Sequence, residues 1–280
     1  MNKGMIKTVN AWIAPEDITG CYVHEHLYAL ATPEIVATNS NMAVDDISKV
    51  QKDLELFASL GGNCVVDVTT VDYGRDIKKL QELSKNAKVH IIATGGFNKG
   101  KFNRPFLEGR SVMEIADQIY EEVMNPSGGP GVLKIGTSLN EILSWEYIGL
   151  QAISQVHLKT GIPITTHTEK GTFAQEQLNL FKKHGVKAQN IILGHLDQNP
   201  DFDLHVDLIK QGAFLGYDSI PKTKYNTKDR AIEFIVALAK KQLHTHILLS
   251  GDFARKDYYL GFGGKPGLGY LLGEFKNELS

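Results

Sequence analysis

Residues 22–27 read Tyr-Val-His-Glu-His-Leu. In an extended segment alternate side chains leave the same face, so His24 and His26 point together. Two imidazoles aimed at one point are half of a metal site, although a histidine on an apolar strand is also a common, satisfied core residue. Three later apolar runs end in metal-ligating side chains, at His167, His195 and Asp252, and a fourth carries a lysine in its middle, Lys134. Four imidazoles and a carboxylate can hold two borderline divalent ions such as zinc. Two such ions about 3.5 to 4 Å apart need a bridging anion to offset their repulsion.

Lys134 is the candidate for that bridge. It sits in the apolar run Val132-Leu133-Lys134-Ile135-Gly136, where an isolated ammonium is costly and burial favours the free amine. A free amine adds carbon dioxide to form a carbamate, an anion with one oxygen for each metal. Two other readings stay open: an ion pair with a carboxylate such as Glu141, and a Schiff-base lysine. His90 and His246 fall near the starts of apolar runs, and His157, His184, His205 and His244 fall on helical patterns or connections. These six are assigned no role.

Elements of one kind must carry this set. Short apolar runs at 20–26, 63–69, 88–94, 132–137, 162–167, 190–195, 213–217 and 246–250 alternate with amphipathic stretches, the pattern of strand-helix units and a parallel sheet. Helical patterns span 45–60, 76–86, 111–124, 144–160, 172–184, 203–211, 227–242 and 267–279. Gly61, Gly161, Gly185 and Gly212 each stand just past a helical pattern, where a left-handed helix end is cheapest for glycine. Eight strands with eight helices predict a (β/α)8 TIM barrel, preceded by a short N-terminal β-ribbon around Ile6 to Val9 and Trp12-Ile13. No linker, repeat or low-complexity tract divides residues 1–280, so a single barrel domain is expected. The long connections, 28–44, 95–110, 218–228 and 253–266, all follow strands, where barrel enzymes build their sites.

Composition sets the remaining bounds. At 42% hydrophobic and 22% charged residues with net charge −2, the chain is an ordinary globular one with no electrostatic footprint for nucleic acid or an anionic membrane. Cys21 and Cys64, the two cysteines, lie in apolar runs without C-x-x-C spacing, so both are expected as reduced core residues. The first 20 residues lack an apolar signal core, and no stretch approaches the ~18 apolar residues of a membrane span, so a cytoplasmic location is the default expectation. Proline excludes Asn125-Pro126-Ser127 as a glycosylation site.

From Tyr22 to about Tyr270 the sequence resembles the phosphotriesterase-like branch of the amidohydrolase superfamily. The resemblance is carried by Val-His-Glu-His-Leu at the first barrel strand, Leu-Lys-Ile-Gly at the fourth, Thr-His-Thr at the fifth, Gly-His-Leu-Asp at the sixth and Ser-Gly-Asp at the eighth. It implies that His24, His26 and Asp252 bind a more buried metal and His167 and His195 a more exposed one. Lys134, N-carboxylated, would bridge them. Zinc is the first expectation for both ions, with manganese, cobalt or nickel as alternatives. Homodimers are common among such proteins and are expected here.

Residues 97–102, Phe-Asn-Lys-Gly-Lys-Phe, the run from Lys222 to Tyr225 and residues 252–259 resemble sugar-lactone phosphate lactonases of that family. Phe97 stands where some lactonases of the family place a tyrosine, and the chain ends at Ser280 where members usually continue with a further helical segment.

A hydroxide shared by two metals is a nucleophile at neutral pH. It would attack a carbonyl or phosphoryl centre while Asp252 takes its proton and passes it to the leaving alkoxide. Lys222 and Lys224 follow the seventh strand, and Arg255 and Tyr258 follow the eighth, where phosphate sites in barrels are frequently built. The expected reaction is therefore opening of a phosphorylated sugar lactone, such as a pentono-1,4-lactone 5-phosphate, a small-molecule substrate. The alternative is a phosphotriesterase-like hydrolase of another ester, neutral lactone or amide. A catalytically silent binding barrel fits less well, because Asp252 is retained.

Overall fold

The computed structural model describes residues 4–126 and 128–279, apart from the Glu34 side chain. Ser127 of the excluded glycosylation tripeptide and the end at Ser280 therefore lie outside the described residues. Strands β1 (Ile6–Lys7) and β2 (Trp12–Ile13) pair antiparallel, with Ile6 opposite Ile13. Eight parallel strands follow: β3 (Cys21–Glu25), β4 (Cys64–Asp67), β5 (His90–Gly96), β6 (Val132–Thr137), β7 (Ile164–Thr168), β8 (Ile191–Leu193), β9 (Phe214–Tyr217) and β10 (Ile247–Leu249). They succeed one another in chain order, and the fold class is the (β/α)8 barrel with an N-terminal ribbon.

The helices are α1 (Pro33–Thr38), α2 (Ile47–Ser59), α3 (Ile77–Ala87), α4 (Gly100–Leu107), α5 (Val112–Val123), α6 (Ser144–Thr160), α7 (Ala174–Lys183), α8 (Phe202–Lys210), α9 (Lys228–Lys240) and α10 (Lys276–Leu279). Two of them, α1 and α4, occupy stretches expected as loops. The terminal pattern expected over 267–279 is helical only from Leu271, as one π-type turn (Leu271–Phe275) running into α10. Gly61, Gly161, Gly185 and Gly212 have positive φ of 94°, 71°, 88° and 100°, as the helix-end reading requires. No helix among the described residues is long and apolar enough to cross a membrane.

The chain gathers into two compact units. One comprises Met1–Gly95, Asn125–Gly131 and Gly251–Ser280; the other comprises Gly96–Met124 and Val132–Ser250.

In the first unit β3 pairs with β4 and β4 with β5, bringing Cys21 beside Cys64 and Cys64 beside His90. Both cysteines are free. A hydrogen bond with Cys64 and burial push the Cys21 thiol well above its ordinary range, which favours the neutral thiol. Asp46 caps α2 by accepting the Ser48 amide, and the helix buries Val50, Leu54 and Phe57 on one stripe. The Phe57 ring packs on Tyr22 at 4.6 Å. A Cβ on Gly62 would sit 2.2 Å from that ring, so the chain can enter β4 here only as glycine.

In the second unit β6 to β10 pair in parallel, with Leu133 beside Ile164, Ile164 beside Ile191, Ile192 beside Phe214 and Leu215 beside Ile247. Helix α6 buries Leu150, Ile153 and Val156 and ends at Gly161. Two of the histidines read as having no role prove to be internal partners. His157 Nδ1 meets the Ile162 carbonyl at 2.7 Å, and His205 Nδ1 meets the Tyr217 hydroxyl at 2.5 Å.

Candidate metal centre

In the first unit His24 and His26 are buried near the end of β3. Asp252 lies three residues beyond β10, and its Oδ1 stands 3.8 Å from His24 Nε2 and 3.3 Å from His26 Nε2. One ligand atom from each residue falls within 4.8 Å of the other two, a group able to hold a metal ion. The outer nitrogen of His26, Nδ1, is 2.9 Å from Thr69 Oγ1, which leaves Nε2 directed at Asp252.

Behind this triad stands a carboxylate shell. Asp67, at the end of β4, accepts the Leu27 amide at 2.6 Å and the Thr69 amide at 3.0 Å. Burial pushes its carboxyl up to about 6. Tyr259 donates to the His26 carbonyl at 2.8 Å, and Tyr73 lies edge-on to the His26 ring at 5.2 Å. His26 is thus fixed at both ring and backbone.

In the second unit His167 is the next-to-last residue of β7, and His195 follows β8 in the left-handed conformation at φ 61°. His167 Nδ1 and His195 Nε2 converge to 2.8 Å. Their remaining nitrogens both face carboxylates. His167 Nε2 is 2.9 Å from Glu169 Oε2, and His195 Nδ1 is 2.5 Å from Asp218 Oδ1. Asp218 also accepts the His195 amide at 3.1 Å, so one carboxylate fixes both the ring and the unusual backbone. An outer acceptor on each ring turns the inner nitrogens' lone pairs toward one point, as a bound cation requires.

Lys134 lies on the same face of this sheet. It pairs in register with Thr165, two residues before His167, and Gly136 pairs with His167. A Cβ on Gly136 would be 3.0 Å from the His167 Cβ and 2.9 Å from the Lys99 Cβ, so glycine makes room for both side chains. Lys134 is 1% exposed. Glu141, weighed above as its ion-pair partner, is exposed.

The loop cations differ in setting. Lys222 is 3% exposed while Lys224 is exposed, with its ammonium 4.4 Å from the Tyr225 ring centre. Arg255 and Tyr258 are half-buried in the first unit, and the Tyr258 ring stacks on Phe253 at 5.6 Å.

Several residues of the site carry no mark in the sequence reading. Glu169 pairs with Lys99 as well as with His167, and burial pushes the Lys99 ammonium down to about 8. Glu146 accepts the amides of Gly100, Ser138 and Leu143, tying the loop after β6 to the start of α4. Asp218 had a legible signal. It ends an apolar strand, as the three downstream candidate ligands do, and the same rule applied to 213–217 finds it.

The phosphotriesterase family matches residues 4–279. A lactonase from Listeria monocytogenes of known structure superposes with a TM-score of 0.93 at 32% identity, over 98% of this chain and 90% of that one. The phosphotriesterase homology protein of Escherichia coli, solved with phosphate in its active site, superposes with a TM-score of 0.88 at 27% identity over 93% and 90%. A phospho-furanose lactonase from Mycoplasmopsis synoviae is 29% identical over 92% of this chain and 80% of its own length.

Proposed function

The chain belongs to the phosphotriesterase family and is a hydrolase, and we propose that it opens a phosphorylated sugar lactone at a binuclear metal centre. The observation that supports the centre is the inward presentation of imidazole nitrogens, with the rings of His26, His167 and His195 each held from outside by an oxygen. His24, His26 and Asp252 would hold one ion, His167 and His195 the other, and Lys134 as its carbamate would bridge them, all within one domain spanning residues 1–280. The donor set suits zinc first, then manganese, cobalt or nickel.

When bound, the paired ions supply a hydroxide nucleophile at neutral pH and a Lewis acid for the carbonyl oxygen. Asp252 takes the proton of the attacking water and delivers it to the ring oxygen as the acyl C–O bond breaks, leaving a hydroxy acid. Its carboxylate is 14% exposed, where those of Glu25 and Asp67 are fully buried, so water has access to it. Lys222, Arg255 and Tyr258 grip the phosphate, with Lys224 adding charge from the exposed side of its loop. The phosphate in the Escherichia coli relative and the phospho-furanose lactonase name of another relative support this choice of substrate. The protein acts as a homodimer in the cytoplasm, on a small molecule and with no nucleic acid or membrane partner.

A panel of five-carbon 1,4-lactones, each with and without a 5-phosphate, tests the reading by acid release from zinc- or manganese-loaded enzyme. Only phosphorylated lactones should turn over, and Arg255→Ala should raise KM far more than it lowers kcat. Equal or faster hydrolysis of neutral lactones, esters or amides would favour the alternative reading and strip the loop cations of their role.

A further inference from the structure

The middle residue of the His-x-His stretch points away from its neighbours, because successive side chains on a strand leave opposite faces. Glu25 is fully buried there. A carboxylate in such a place must find donors. Both its oxygens find them in one short loop: Oε1 accepts the Gly251 amide at 2.6 Å, and Oε2 accepts the Phe253 amide at 2.9 Å. These amides flank Asp252. The Asp252 amide itself donates to the His24 carbonyl at 3.0 Å. Two consecutive residues of β3 therefore hold three consecutive amides of the loop after β10.

The loop needs holding. Asp252 has φ 44°, in the left-handed region that a side chain rarely adopts. Released, this backbone would relax toward the common regions and swing the carboxylate off its line to His24 and His26.

We propose that Glu25 is a positioning residue of the metal centre: by gripping the amides on both sides of Asp252 it holds that carboxylate on the two β3 imidazoles. The assignment rests on the binuclear reading above. It separates the roles of the motif, with the two histidines as ligands on one face and the glutamate as the clamp for the third ligand on the other. Glu25 acts through Asp252, by the two flanking amides.

The test loads wild-type and Glu25→Gln chains with Co(II), and reads the affinity of each site by chelator competition together with the visible absorption of the bound cobalt. Glutamine keeps one acceptor but turns an NH2 toward the second amide. One ion should bind about 10- to 100-fold more weakly, as when other outer supports of a metal ligand are removed. The second ion's affinity should stay within about twofold, the cobalt absorption should change, and kcat should fall more than KM rises. Unchanged affinities and spectrum with only a lower Tm would overturn the assignment, and so would equal loss of both ions. A wild-type chain that binds no cobalt would overturn the binuclear reading itself, a different outcome from a variant that behaves as wild type. Should Glu25→Gln not fold, Glu25→Asp keeps the charge but is one methylene too short to reach both amides, and it should show the same single-site loss.

Discussion

Each candidate imidazole ligand whose outer nitrogen has a defined acceptor meets a different one: Thr69 for His26, Glu169 for His167 and Asp218 for His195. The strength of these supports sets their expected effects. Asp218 is fully buried and holds both the ring and the backbone of His195, whereas Glu169 is partly exposed and shared with Lys99. Asp218→Asn should therefore weaken metal binding about 10- to 100-fold, and Glu169→Gln less, as measured by chelator competition on the folded variants. Six candidate metal ligands were readable because histidine, lysine and aspartate at the ends or middles of apolar runs are unusual there. Of their supports only Asp218, at a strand end, carries such a signal. A threonine two residues past a strand, or the glutamate inside the motif, looks like any loop or strand polar residue until the chain is folded around it.

The elements carry their own supports. The buried Asp53 of α2 accepts the amides of Leu260, Gly261 and Leu268, pinning the loop that bears Arg255 and Tyr258. Asp53→Ala should cost about 3 kcal/mol, because buried amides lose their acceptor, and a urea titration measures it. Gly261 lets that loop pass, since a Cβ there would meet the Lys49 carbonyl oxygen at 2.1 Å. The α8–β9 contact gives a pH dependence. Burial, the largest cause, pushes the His205 imidazolium down to about 4 from an unfolded value near 6.5. The unfolded chain thus binds the extra proton first, and stability is lost as pH falls from 6.5 toward 4, by roughly 3 kcal/mol if the full shift is realised. The Tm of His205→Gln should fall less over that window than the wild-type Tm; parallel curves would contradict this. Strand β6 and helix α6 match the sequence pattern to the residue. Helix α4 did not show in it because Pro105 reads as a break, yet the helix forms around Asn103, which meets the Asn98 carbonyl and Trp145.

At the scale of the molecule, the alternation of apolar and amphipathic runs made the barrel class legible, since that alternation is the parallel sheet's own burial pattern. The two compact units were not legible. Asn125–Gly131 joins Met1–Gly95 through contacts such as the Gly131 amide on the Ala93 carbonyl, and no local pattern announces such a pairing. Metal that binds only the folded chain must also stabilise it, by about 2.7 kcal/mol at a hundredfold excess over Kd. Loading with zinc should therefore raise Tm by several degrees, and chelation should reverse the rise. In the proposed mechanism this hydrolase needs two ions, held by His24, His26, Lys134, His167, His195 and Asp252. Its most direct test is phospho-lactone hydrolysis by chelated enzyme as metal is restored, with the metal content per chain measured at each step. No activity should remain without metal and full activity should return at two ions per chain; activity that survives complete chelation, or that saturates at one ion, would rule out the two-ion mechanism.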